Sequence, residues 1–454
     1  MASENTPAAP PNLVFVFADQ WRAQATGYAG DPNARTPHLD RLAGQSLRFT
    51  HAVSGCPVCS PYRASLLTGR YWLSHGIFMN DVPLRGTEVS FAEALAGAGY
   101  DTGYIGKWHL DGHGRSSFIP PERRQGFRFW RVQECTHNYN QSGYYGDSPE
   151  QKTWPGYDAE AQTEEAQRYI TERAAAGKPF ALFLSWGPPH DPYDTAPEAW
   201  RAAVNPDGIV LRPNVPAESA ADARRVLAGY YAHCAALDAC VGRLAECLDR
   251  CGAADNTILV FTSDHGDMLF SQGMMKKQKP YDESIRVPLL LRWPARLGGA
   301  GRDVETLVNA PDLMPTLLGM MGVPVPGTVE GANFAAPLLR GETPRPGAAM
   351  LSCVTPFGEW TRARGGREYR GLRTARHTYV RSLDGPWLLY DNEADPYQQD
   401  NLCGKEAHRD IQARLDGMLL DLLAQRRDEF LPGGEYVRRA GYTTDDTGTV
   451  PYKN

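Results

Sequence analysis

The sequence predicts an α/β protein with a mixed, mainly parallel central sheet flanked by helices, and a smaller α+β subdomain at the C-terminal end. Three observations carry this reading. First, Asn12-Leu13-Val14-Phe15-Val16-Phe17-Ala18-Asp19 is an unbroken apolar run that ends in a carboxylate, as suits a strand buried on both faces. The same form returns at 257–264, which ends in Asp264, and at 180–186, which runs into Gly187-Pro188-Pro189-His190. Open α/β sheets place their sites at the C-terminal ends of such strands. Second, the Ala-rich stretch 217–250 carries Leu227, Tyr230, Tyr231, Cys234, Leu237, Cys240, Val241 and Leu244 at spacings of three and four, a long amphipathic helix able to cover the sheet. Third, short strand-like runs at 369–374, 378–382 and 387–390 precede a helical pattern over 407–427, the order of a small α+β unit.

The 454 residues are 42% hydrophobic and 22% charged, enough to bury a core without a disulfide or metal staple. The 45 glycines and 35 prolines indicate many turns without reaching low-complexity composition. The chain divides into a flexible N-terminus (1–11), a catalytic domain (12–340), a linker rich in Pro and Gly, and a C-terminal subdomain with a polar tail (348–454). Within the catalytic domain, Asp312 reads as a helix cap and Pro315 as lying near a helix start.

The net charge of −6 and the lack of any basic run longer than Lys276-Lys277-Gln278-Lys279 exclude a nucleic-acid partner. The apolar run 13–18 is too short for a signal peptide or a membrane span, so no membrane association and a cytoplasmic location are expected. A homo-oligomer is left open. Nine cysteines at irregular spacing do not describe a disulfide framework. Cys234, Cys240, Cys247 and Cys251 read as buried small hydrophobes.

The chemistry concentrates after Cys56-Pro57-Val58-Cys59. In Ser60-Pro61-Tyr62-Arg63-Ala64-Ser65-Leu66-Leu67-Thr68-Gly69-Arg70, Ser60 suits an N-cap, Pro61 the first helical turn and Gly69 the stop. Cys59 then sits at a helix N-terminus with Arg63 one turn on, an arrangement that binds an oxyanion beside a nucleophile.

This Cys59-to-Arg70 segment resembles the signature of the formylglycine-dependent sulfatases of the alkaline-phosphatase superfamily. Further segments resemble the same family: Thr36-Pro37-His38-Leu39-Asp40-Arg41-Leu42, Gly99-Tyr100-Asp101-Thr102-Gly103-Tyr104-Ile105-Gly106-Lys107-Trp108-His109-Leu110, Pro189-His190-Asp191-Pro192 and Thr262-Ser263-Asp264-His265-Gly266. The resemblance extends over roughly residues 12 to 400 and implies an alkaline-phosphatase-like fold. It implies that a separate formylglycine-generating enzyme oxidises Cys59 to an aldehyde, whose hydrate is the nucleophile. It also implies that Asp19, Gln20, Asp264 and His265 hold a divalent cation together with the modified Cys59. A mostly oxygen donor set favours calcium. Gln20 stands where many members have aspartate and His265 where many have asparagine, which leaves manganese open.

By the same resemblance, Lys107 and Lys277 neutralise sulfate oxygens, with Lys276 and Lys279 near enough to compete for the latter role. Arg63 adds to this cationic cluster. His109 takes a proton from the second hydroxyl of the hydrate, and His190 assists the leaving alcohol. Asn80, Trp108 and His113, with Met79, Asp81 and the aromatic stretch 130–154, are expected to face the alcohol portion. The substrate implied is a small sulfated molecule, first of all a sulfated carbohydrate. The alternatives are a phosphonate monoester or phosphodiester hydrolase of the same superfamily, and a non-catalytic protein that binds sulfated ligands.

Overall fold

A computed structural model describes residues 9–452. Its eight-stranded sheet runs in the order Arg302–Asn309, Leu47–Val53, Leu289–Arg292, Thr257–Ser263, Asn12–Asp19, Phe180–Pro189, Asp101–Lys107, Phe129–Gln133. Only Leu289–Arg292 pairs antiparallel, with both of its neighbours; every other pairing is parallel. The three apolar runs singled out in the sequence are therefore adjacent, with Asn12–Asp19 between the other two.

The alternation of side chains along a strand sends Leu13, Phe15 and Phe17 to one face and Val14, Val16 and Ala18 to the other. The first face packs against helices Cys59–Thr68 and Ala310–Met320, the second against helices Asp158–Ala176 and Ala220–Arg250. The predicted long helix is thus present from Ala220 to Arg250 and buries Cys234, Cys240 and Cys247. All nine cysteines are free thiols, and Cys251 and Cys403 are partly exposed.

Two expected caps are reassigned. Helix Ala310–Met320 is capped by Asn309, and Asp312 is its reciprocal partner three residues on: Asp312 Oδ2 accepts from Asn309 N at 2.8 Å. Helix Cys59–Thr68 has no side-chain cap of its own. The Ser60 hydroxyl instead donates to the His109 carbonyl oxygen at 2.6 Å, a partner far away in the sequence. Gly69 does end the helix, at a left-handed φ of 64° that glycine adopts without penalty.

The C-terminal strands Ala349–Cys353, Tyr369–Arg373, His377–Ser382 and Gly385–Asp391 form an antiparallel sheet in chain order. Helix Arg409–Gln425 packs on it through Leu415, Leu419 and Leu423. Met350, Leu372, Tyr379 and Leu389 join the same apolar core as the central sheet, so this sheet is sealed against the main body. The tail after helix Gly433–Ala440 turns back along that body: Tyr442 Oη donates to Gly76 O at 2.8 Å and Gly358 N to Thr447 O at 3.1 Å. Among the described residues, no helix is long and apolar enough to cross a membrane.

Candidate active site

The site forms where three central strands end and helix Cys59–Thr68 begins. Cys59, 1% exposed, is positioned by the first turn of its helix. The Ser60 N–H of that turn is satisfied by Asn80 Oδ1 at 3.1 Å, so Asn80 does the capping expected of Ser60. Around Cys59 Sγ lie His265 Nε2 at 3.3 Å, Lys277 Nζ at 3.3 Å, Lys107 Nζ at 3.7 Å and Asp19 Oδ1 at 3.7 Å. Burial and Asp19 push the thiol up, but Lys107, Lys277 and His265 bring it well below the ordinary thiol range. The environment is built for an anion at this atom.

Asp19, Cys59, Asp264 and His265 present donor atoms that all lie within 4.8 Å of one another, and all four residues are buried. His265 Nδ1 lies 2.9 Å from the Gly266 carbonyl. A carbonyl only accepts, so Nδ1 carries a proton, and Nε2 is the atom that faces Asp19 Oδ1 (3.5 Å) and Asp264 Oδ1 (3.6 Å). Gln20, at a left-handed φ of 71°, donates through Nε2 to Asp267 Oδ2 at 2.7 Å and leaves its buried Oε1 without a partner. Buried carboxylate oxygens that converge with an imidazole nitrogen and a sulfur fit a cation.

Arg63 is placed differently from the expectation. Its Nη2 pairs with Asp264 Oδ2 at 3.0 Å and Asp19 Oδ2 at 3.3 Å, and its Nε with Asp264 Oδ2 at 3.2 Å. Its Nη1 donates to Lys107 O at 2.8 Å and Ser185 Oγ at 2.7 Å. The guanidinium lies 5.0 Å from the centroid of the Phe17 ring and is not on the pocket wall. With those donors engaged, Arg63 fixes the two carboxylates and does not reach a substrate oxygen.

Lys107 Nζ sits 2.6 Å from Asp19 Oδ2, and this charge partner lifts its affinity for the proton despite burial. His109, at a left-handed φ of 60°, shares the pocket wall with Lys107; its Nε2 is 3.3 Å from Asp81 Oδ1. Asp81, at φ 63°, also receives Arg115 through two bonds of 2.9 and 2.8 Å. Two adjoining wall residues in a backbone region that non-glycine residues seldom occupy are a mark of functional strain. His109 Nδ1 is buried without a hydrogen-bond partner.

Of the three neighbouring lysines, Lys277 is the one at the nucleophile. Lys276 pairs with Asp191 Oδ2 at 3.2 Å, and Lys279 donates to Met275 O at 2.8 Å. His190 lies 2.8 Å from Lys277 Nζ through its Nε2, and its Nδ1 is 2.9 Å from Asp191 O. Burial and the Lys277 charge hold His190 well below the usual histidine range.

A cleft of about 280 Å³ opens over Cys59, lined among others by Asn80, Asp81, Lys107, His109, His190 and Lys277. Trp108 is excluded from it. Lys107 and His109 face one side, so the residue between them faces the other, and Trp108 lies 0% exposed against Tyr104, Phe127 and Trp130. His113 is also outside: its Nδ1 lies 2.6 Å from Asp111 O and its side chain is 51% exposed. From the aromatic stretch only His137 reaches the wall, stacked on His190 at 4.6 Å between ring centroids; Trp130, Tyr139 and Trp154 belong to the cores.

Sequence reasoning missed Arg115, Glu359, Thr449 and Tyr452 on this wall. Tyr452 lies under the Arg115 guanidinium at 3.4 Å from its ring centroid. A Lys/Arg signal could have suggested Arg115, but nothing local marks the two tail residues. A wider groove of about 570 Å³ between helices Asp158–Ala176 and Ala220–Arg250 contains none of the site residues.

A buried nucleophile beside a cation-ready donor set, with two lysines and two histidines around it, defines a hydrolase of anionic esters. The chain belongs to the sulfatase family, as a type I sulfatase of the alkaline-phosphatase superfamily, and it is a sulfuric ester hydrolase: the model described as Sulfatase matches residues 11–323. A second model, N-sulphoglucosamine sulphohydrolase, C-terminal, matches residues 271–425. The chain is 42% identical over 449 residues to an ulvan-active sulfatase of Formosa agariphila, covering 97% of this chain and 87% of that protein. It is 25% identical to an N-acetylglucosamine-6-O-sulfatase of Bacteroides thetaiotaomicron, over 92% of this chain and 87% of that one. The solved structure of the sulfatase yidJ from Bacteroides fragilis superposes with a TM-score of 0.84 at 30% identity, covering 96% and 99% of the two chains.

Proposed function

We propose that the protein hydrolyses a sulfate monoester of a small sulfated carbohydrate, releasing the alcohol and inorganic sulfate, through a formylglycine derived from Cys59 and a divalent cation. The observation that carries this is the ring of Asp19, His265, Lys107 and Lys277 around Cys59 Sγ at 3.3–3.7 Å. The relatives active on ulvan and on N-acetylglucosamine 6-O-sulfate support the substrate class.

Asp19, Gln20, Asp264 and His265 would hold the cation, which would supply positive charge beside the nucleophile. Oxidation of Cys59 by a maturing enzyme supplies an aldehyde hydrate, with one hydroxyl to attack sulfur and a second through which sulfate is expelled. Lys107 and Lys277 flank the position of Sγ and neutralise charge that grows on the sulfate oxygens, the term that usually dominates such catalysis. Lys277 Nζ, held by His190 Nε2, gives its proton to the bridging oxygen as the alcohol leaves, and the neutral amine takes a proton back from water before the next turnover. His109, on the cleft wall with Nε2 3.3 Å from Asp81 Oδ1, takes the proton of the second hydroxyl as sulfate leaves, and Asp81 steadies the imidazolium that results. Arg63 holds Asp19 and Asp264 in place throughout.

The test is the mass of the Cys59 peptide, with steady-state turnover of an aryl sulfate. Matured protein shows the aldehyde mass and many turnovers. An unmodified thiol in a preparation that turns over at full rate overturns the reading.

A further inference from the structure

Of the three carboxylates on the cleft wall, Asp81, Asp191 and Glu359, one has no counter-ion. Asp81 receives Arg115 through two bonds and Asp191 receives Lys276. Glu359 has no cation within ion-pair distance among the described residues, and its Oε1 is buried with no hydrogen-bond partner while the residue lines the cleft with Cys59, His190 and Lys277. A buried polar atom left unsatisfied costs stability unless something else completes it.

The loop that carries Glu359 is built and held. Gln278, next to Lys277, donates from Nε2 to Phe357 O at 2.9 Å and accepts from Phe357 N at 3.2 Å. Gly358 N reaches Thr447 O in the tail at 3.1 Å, and Trp360 is buried against Tyr369. The backbone that carries Glu359 is therefore held relative to Lys277. The sulfate end of the cleft needs cations, which Lys107 and Lys277 provide. A carboxylate can only accept hydrogen bonds, so it repels sulfate oxygens and must receive donors from the rest of the substrate.

We propose that Glu359 is a specificity-determining residue that accepts hydrogen bonds from hydroxyls of the sugar portion next to the sulfate ester. The two carboxylate oxygens match a pair of neighbouring hydroxyls. This assignment rests on the carbohydrate sulfatase reading above and goes beyond it by naming the group that reads the sugar.

The experiment compares wild type, Glu359→Gln and Glu359→Ala on three probes. These are a monosaccharide sulfate with free hydroxyls flanking the ester, its deoxy analogue lacking one of them, and p-nitrophenyl sulfate. Glu359→Ala is expected to lower kcat/KM for the hydroxylated sugar about 10–100-fold, the range for a hydrogen bond to a charged group. On p-nitrophenyl sulfate, which offers no hydroxyl, the loss is expected to be at least about tenfold smaller. The deoxy analogue should cost wild type a factor similar to the mutation and cost Glu359→Ala nothing more. Its thermal midpoint should match wild type, since no bond within the protein is removed.

Equal losses on sugar and aryl sulfates, no loss on either, or an intact hydroxyl preference in Glu359→Ala would each overturn the assignment. So would a wild-type preference for an amino sugar that Glu359→Gln abolishes, which would make the partner an ammonium. Failure of the carbohydrate reading shows in wild type, as cleavage of the aryl probe alone. Failure of the Glu359 assignment shows only in the variants.

Discussion

Lys277 Nζ lies 2.8 Å from His190 Nε2 while His190 Nδ1 faces the Asp191 carbonyl at 2.9 Å. The imidazole thus has its one N–H on the carbonyl side and accepts from the ammonium. In the resting site the mobile proton sits on the lysine, and the histidine aims it.

Removing either member of this pair should weaken assistance to the leaving group. Lys277→Ala and His190→Ala are each expected to lower kcat by roughly 10²–10⁴-fold. The double variant should lose far less than the product of the two, because they act as a unit. A series of aryl sulfates checks this: the loss should shrink as the phenol becomes more acidic and needs less protonation. A loss independent of the leaving group would contradict the role.

In the proposed mechanism Cys59→Ser removes the thiol that is to be oxidised. The variant should fail to label with a carbonyl-reactive hydrazide and should release at most one equivalent of product, since a serine ester has no second hydroxyl to expel sulfate. Mass spectrometry of the variant peptide should show whether sulfate stays attached. Steady multiple turnover by Cys59→Ser would contradict the mechanism.

The donor atoms that converge from Asp19, Cys59, Asp264 and His265 make a prediction about stability as well as activity. Dialysis against a chelator should abolish turnover and lower the thermal midpoint, and adding calcium or manganese should restore both, because a ligand that binds the folded state stabilises it. The ion that raises the midpoint at the lower free concentration is the better fit to this donor set.

Asp158, at the first turn of its helix, is buried with Oδ1 unpartnered, and burial pushes its carboxyl up to about 8. A carboxyl whose pKa is raised on folding holds its proton more tightly in the native state. Its stabilising contribution is therefore greatest at low pH and is lost as pH rises from the ordinary value of 3.8 through about 8. Asp158→Asn, neutral at every pH, should raise the thermal midpoint by a few degrees at pH 8, with the gain fading toward pH 4. Thermal melts of both proteins across that range check it.

Much of the site was legible because its signals are local. Cys59 and Gly69 bound one helix, and the carboxylates Asp19 and Asp264 follow strands whose apolar runs are unmistakable. The failures come from long-range contacts. Ser60 was read as a cap, but its hydroxyl is taken by the His109 carbonyl and its N–H by Asn80. Arg63 was read as a substrate contact, but Asp19, Asp264, Lys107 and Ser185 occupy its donors. Trp108 was placed at the cleft although the strand alternation that brings Lys107 and His109 together turns it into the core. Glu359 and Tyr452 carry no local pattern, and only the pairing of Gly358 with Thr447 and the stacking of Tyr452 on Arg115 bring them to the wall.

The wall that Thr449 and Tyr452 complete has a bearing on how the protein is made. A chain emerges from the ribosome N-terminus first, so Cys59, the lysines and the central strands are all in being before these two residues are joined. The cleft stays one wall short until they are. Tyr452 can settle on Arg115 only once every other residue of the wall is in being, so enclosure of Cys59 comes late in the making of the chain.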